Sequence, residues 1–107
     1  MAQSAPTAPD DARRVFSGSL IAAGQRSAAF QLGGDWNLTL FGDFVGQGRL
    51  DRSFDGGVTW VPCTNAGAVV LFTAPSSEIV TEPEPSVLYS VFFVARTSGT
   101  LSWRASQ

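Results

Sequence analysis

Apolar and polar residues alternate in short runs along most of the chain. Trp36, Leu38 and Leu40 alternate with Asn37 and Thr39, and Leu101, Trp103 and Ala105 alternate with Thr100, Ser102 and Arg104. A period of two is the signature of a half-buried strand. Val15–Ala22, with Phe16, Leu20 and Ile21, is a first strand candidate, and Ala28–Leu32 a second. Leu50–Phe54, Val58–Cys63 and Ala68–Thr73 are further candidates. Gly33-Gly34-Asp35 and Thr97-Ser98-Gly99 read as turns. No stretch carries a 3.6-residue period. About eight or nine short strands with frequent turn signals predict an all-β chain, an antiparallel sandwich or jelly roll.

Three stretches fit that pattern less simply. Met1–Asp11 is Ala, Pro, Ser, Thr, Gln and Asp without periodicity, which predicts a flexible arm over residues 1–14 ahead of one domain over 15–107. The arm is either a free tail or a segment that orders against a neighbouring subunit. Gly42–Gly48 is glycine-rich around Phe44 and Val45, which predicts a bulge or bend; no helix and no Lys follow it, so a phosphate loop is excluded. Ala74–Pro85, with Pro75, Pro83, Pro85 and Glu78, Glu82, Glu84, predicts a solvated connection with a short edge strand at Ile79 and Val80.

Val87–Ala95 is the most apolar run. Leu88, Phe92 and Val94 fall on one face, and Val87, Tyr89, Val91 and Phe93 on the other. A strand apolar on both faces is either central between layers or set against another subunit.

Composition narrows the function classes. The chain has 107 residues, 15% of them charged, with seven Arg, no Lys and no His, and a formal net charge of −2. A length of this order suits one domain with a modest core. No basic patch points to nucleic acid. No run is long enough to span a membrane as a helix, and the first residues lack the order of a signal peptide, which predicts synthesis in a cytoplasm. Few charges and eight Phe predict uncovered apolar surface of the kind that meets partners.

Catalysis lacks its usual parts. Without His there is no Ser-His-Asp arrangement, and without Lys no Schiff base. Asp35, Asp43, Asp51 and Asp55 each have an ordinary turn or strand-surface explanation. Cys63 is the only cysteine, so no disulfide within the chain is possible, and it reads as a buried structural thiol. One Cys and no His argue against zinc. The expectation is a chain that is no enzyme and takes no cofactor or metal.

At mid-chain stands Ser53-Phe54-Asp55-Gly56-Gly57-Val58-Thr59-Trp60. Two glycines between apolar strand patterns predict a tight hairpin loop, with Thr59 and Trp60 resuming a strand. Ser53 and Asp55 supply short oxygen side chains for turn N–H groups. The octet resembles the Asp-box, S-x-D-x-G-x-T-W, at Ser53, Asp55, Gly57, Thr59 and Trp60. That resemblance implies a structural hairpin tip remote from any catalysis.

The longer stretch Gly42–Trp60, together with Tyr89, Thr97-Ser98-Gly99-Thr100, Arg104, Ser106 and Gln107, resembles small virion proteins of tailed phages and gene-transfer agents. The resemblance implies a capsid decoration or cement protein, or the base of a head fibre. Its implied partners are the major capsid protein and further copies of the chain, as a homotrimer on the capsid surface of a virion made in a bacterial cytoplasm. Arg13, Arg14, Val87, Tyr89, Val91 and Phe93 are the candidate interface residues. The alternative is a carbohydrate- or receptor-binding module, which would need a solvent-facing Trp or Tyr, whereas Trp36, Trp60 and Trp103 all fit core-facing strand positions.

Overall fold

The computed structural model describes residues 14–107. Residues 1–13 of the predicted arm, Arg13 among them, lie outside the described residues.

The chain is all-β. Its strands are β1 (Val15–Leu20), β2 (Gly34–Phe41), β3 (Val45–Ser53), β4 (Val61–Pro62), β5 (Thr64–Asn65), β6 (Ala68–Val69), β7 (Ser76–Glu82), β8 (Leu88–Ser98) and β9 (Leu101–Ser106). One antiparallel sheet has the order β1-β9-β2-β7, and a second the order β4-β3-β8; β5 and β6 form a small hairpin. The two larger sheets enclose one core, as a sandwich does.

Alternation sets the inner face of the four-stranded sheet. Trp36, Leu38 and Leu40 of β2 and Leu101, Trp103 and Ala105 of β9 are all buried. On β1, Gly18 pairs with Trp103, and a Cβ there would stand 3.0 Å from the indole nitrogen. Glycine lets the ring lie flat over β1. The outer face is mostly polar: Ser17, Ser19, Ser102, Arg104, Asn37, Thr39 and Ser77 line it by register, with exposed Val15, Phe41 and Ile79 among them.

In the second sheet β3 and β8 pair along most of their length. Two register shifts fall at Val45/Gly46 and Gln47/Gly48, where the glycine-rich stretch predicts a bulge. A Cβ at Gly46 would overlap the Ala95 carbonyl, so only glycine permits this approach.

Three local expectations are corrected. Ala28–Leu32 forms no strand; instead Gly24, Ser27 and Phe30 donate N–H groups to carbonyls of β8, as an irregular edge. Phe30 exchanges both backbone bonds with Tyr89, at 3.0 and 2.8 Å. Its ring sits amid Phe16, Trp36, Tyr89 and Trp103, with centroids 5.1–6.2 Å away. Burying this one side chain matters more here than regular pairing. Ala74–Pro85 is no loop: β7 runs seven residues along β2, with Pro75 just before it and Pro83 just after. Prolines bound the strand and leave its ladder intact. Finally, β8 continues through Thr97 and Ser98, and the turn falls at Gly99 (φ +81°).

Candidate functional site

The Asp-box is built from the end of β3. The Ser53 hydroxyl accepts from Gly57 N–H at 2.8 Å and donates to Asp55 Oδ1 at 2.8 Å. Asp55 Oδ1 also accepts from Thr59 N–H at 2.8 Å. Gly56 and Gly57 both hold positive φ. The backbone bond from Thr59 and the Ser53 hydroxyl draw the Asp55 carboxyl down to about 2. Thr59 and Trp60 do not resume a strand, contrary to the sequence reading; the ladder restarts at Val61. The side chains of Ser53 and Asp55 take the N–H groups that strand pairing would use, so the loop extends over residues 54–60. Its tip presents Phe54 and Val58, 55% and 83% exposed, with the Arg52 guanidinium 5.0 Å from the Phe54 ring.

A second cluster lies on the outer face of the β3–β8 sheet. Asp51 is fully buried there. Arg49 reaches it with Nε at 2.7 Å and Nη2 at 3.0 Å, and Arg26 with Nη2 at 2.9 Å. Both guanidiniums also lie over the Phe92 ring, at 4.9 and 4.6 Å, and Arg26 over Trp60, at 4.8 Å. Two cations and one anion leave this cluster one positive charge. Sequence reading had no sign of Arg26. Arg49, Asp51 and Ser53 at alternate positions were the available signal, since period two places them on one face.

A third polar group is inside. Glu82, at the end of β7, is buried and accepts from Arg52 Nε at 2.8 Å, from the Tyr89 hydroxyl at 2.6 Å and from Glu84 N–H at 3.0 Å. Burial alone would raise its carboxyl; the bonds from Tyr89, Glu84 and Arg52 outweigh it and hold the group below the ordinary range. Burial, then the bond to Glu82, pushes the Tyr89 phenol up. Glu78, Glu82 and Glu84 therefore do not form a common solvated loop: Glu82 is committed inward while Glu78 sits on the exposed strand.

The candidate interface residues are placed differently from the sequence reading. Val87, Tyr89, Val91 and Phe93 are at most 2% exposed and point into the chain's own core. They are core residues, because the four-stranded sheet covers that face of β8. Its other face is half-covered by Arg26, Arg49 and Trp60, which the strand pattern could not reveal. Arg14 is exposed; its Nη1 reaches the Gln31 carbonyl at 3.5 Å, and its own carbonyl accepts from Gln107 N–H. Trp36 and Trp103 are buried, and Trp60 is half-buried.

Cys63 is half-buried, and burial, the largest cause, pushes its thiol up to about 11. That makes it a poor nucleophile at neutral pH. It lines a groove of about 970 Å³ between β7 and the stretch from Val61 to Pro75. Among the described residues no three His, Cys, Asp or Glu side chains group as metal ligands, and no helix is long and apolar enough to cross a membrane. What the surface offers chemically is binding: an apolar hairpin tip, a cationic aromatic cluster and an open groove. Compared with known protein families, curated proteins and solved structures, the chain matches none.

Proposed function

We propose that this chain is a non-enzymatic structural protein of a virion, which binds the outside of a phage-type capsid as a decoration or cement protein. The observation that carries the reading is the distribution of large apolar side chains. Trp36 and Trp103 are spent on the core, whereas Phe54, Val58, Leu71 and Ile79 remain 43–83% exposed. Buried tryptophan with an apolar rim suits protein contact, because sugar binding wants a flat aromatic face in water. The resemblance of Gly42–Trp60 to small phage virion proteins supports the same role. Assembly as a homotrimer fits it, since closed symmetry covers apolar surface without open growth.

Trp60 favours a second reading, carbohydrate or receptor binding. It is half-buried, so part of its ring is open to solvent, but Arg26 already lies 4.8 Å from the ring centroid.

The test is co-sedimentation of the purified chain with capsids, with light scattering of the free protein beside it. Saturable binding at high copy number supports the decoration role. A chain that stays monomeric and ignores capsids, yet shifts on a glycan array, replaces it with the second reading.

A further inference from the structure

Arg26, Arg49, Trp60 and Phe92 gather on the outer face of the β3–β8 sheet, and the groove beside β7 includes none of them. Leu88, Phe92 and Val94 of β8 alternate outward there and are half-buried, as is Trp60. Arginine and large aromatic side chains in a half-covered apolar surround are the composition of a protein contact. Side chains standing on a sheet face suit another protein better than a small ligand, which favours a concave site.

The charge cluster on this face is not saturated. Arg49 spends Nε and Nη2 on Asp51, and Arg26 spends Nη2 on it. Arg26 Nη1 is buried and has no hydrogen-bond partner among the described residues. One carboxylate also balances only one of the two guanidiniums. An unpaired N–H on a buried cation is costly, and an anionic acceptor corrects both deficits at once. One spare charge suits one carboxylate side chain, whereas a nucleic acid relies on several phosphate contacts. The two guanidiniums keep 27% and 23% of their side-chain surface open to such a group.

Two rings lie against Arg26. Phe92 is held in the β8 ladder opposite Arg49. Trp60 belongs to no strand, so it is the cover that can move. A charge-assisted hydrogen bond to Arg26 outweighs the loss of one cation–π contact.

We propose that this surface docks an acidic side chain of a partner protein, whose carboxylate bonds Arg26 Nη1 and the open side of Arg49 as the Trp60 ring moves aside. The inference rests on the cluster's own chemistry and stands whether or not the chain decorates a capsid.

The probe is a short peptide of alternating Glu and Ala, titrated at low salt, where exposed charges are least screened. The parent should bind it saturably and ignore the analogue with Gln for Glu. Arg26→Gln and Arg49→Gln should each weaken binding about tenfold, whereas Asp51→Asn, which frees both guanidiniums, should tighten it about tenfold. Arg104→Gln, on the other sheet, should bind like the parent. Trp36 and Trp103 are buried in the core, so a shift of emission to longer wavelength on binding reports Trp60, and Trp60→Phe should abolish it. That signal and the tightening by Asp51→Asn decide the matter even where an arginine variant fails to fold. A parent that does not bind the peptide, an Asp51→Asn chain that binds no better, or an emission unmoved at saturation overturns the proposal. Tighter binding of duplex DNA with the same pattern among the variants also overturns it, by assigning the surface to phosphate. None of these readings involves capsids, so the virion role and this surface fail separately.

Discussion

Arg26 and Asp51 are 25 residues apart in the chain and 2.9 Å apart in the fold. Arg26 comes from the irregular edge that follows β1, and Asp51 from the outer face of β3. Their contact ties that edge to the second sheet, and Arg49 completes the carboxylate's coordination from the same strand. Asp51→Ala removes the cluster's anion and leaves two neighbouring guanidiniums beside Phe92 with no carboxylate between them. We expect a loss of about 3 kcal/mol, typical of breaking a buried pair by removing one partner. Asp51→Asn, which keeps the volume, should cost less. Urea unfolding of the three proteins checks this; an Asp51→Ala midpoint equal to that of the parent rules it out.

The Asp-box gives a pH signature. Asp55 is held at about 2 when folded, against an ordinary value of 3.8. A depressed carboxyl contributes stability that is fully present above the ordinary value and is lost as pH falls through the folded one. Melting temperature should therefore decline between about pH 4 and pH 2. Asp55→Asn should flatten that decline and melt a few degrees lower at neutral pH. A variant that melts like the parent but no longer binds capsids makes the loop a contact site.

Tyr89→Phe deletes the phenol that donates to Glu82 and keeps the ring that packs on Phe30 and Trp36. Glu82 retains Arg52 and Glu84, so the expected cost is about 1–3 kcal/mol, that of a buried group losing one partner. The loss should be larger at neutral than at acid pH. Glu82 is depressed in the fold, and its contribution disappears as pH falls through its folded value. Equal losses at both pH values contradict this coupling.

Phe30→Ala removes the ring that four aromatic neighbours surround. A loss of about 3–5 kcal/mol is expected, since a cavity remains between the sheets. Near-ultraviolet circular dichroism should weaken along with it. A loss under about 1 kcal/mol would mean that the segment before β2 is not anchored by Phe30.

The backbone at Gly99 offers a complementary check. Its φ is +81°, and a Cβ there would overlap the Asp43 carbonyl. Gly99→Ala should be destabilised by about 1–3 kcal/mol, because strain and overlap act together. An unchanged unfolding midpoint counts against the tight turn.

The strand class, the inner faces of β2 and β9, the bulge at Gly46–Gly48 and the hydrogen-bonding tip at Ser53–Thr59 are all legible from residue order. Each of these is set by residues within a few positions of one another: alternation, glycine freedom, and short oxygen side chains beside turn N–H groups. Tertiary structure decided the rest. Whether Val87, Tyr89, Val91 and Phe93 face a partner or a core depends on which sheet lies over β8, and alternation is identical in both cases. Phe30 serves the core from a segment with no strand of its own, because cross-chain burial outweighs local propensity. Glu82 turns inward only because Arg52 and Tyr89, 30 and 7 residues away, arrive at its carboxylate. The charge cluster at Asp51 and the groove beside β7 likewise exist only where distant segments meet, and the spacing of residues along the chain does not encode that meeting.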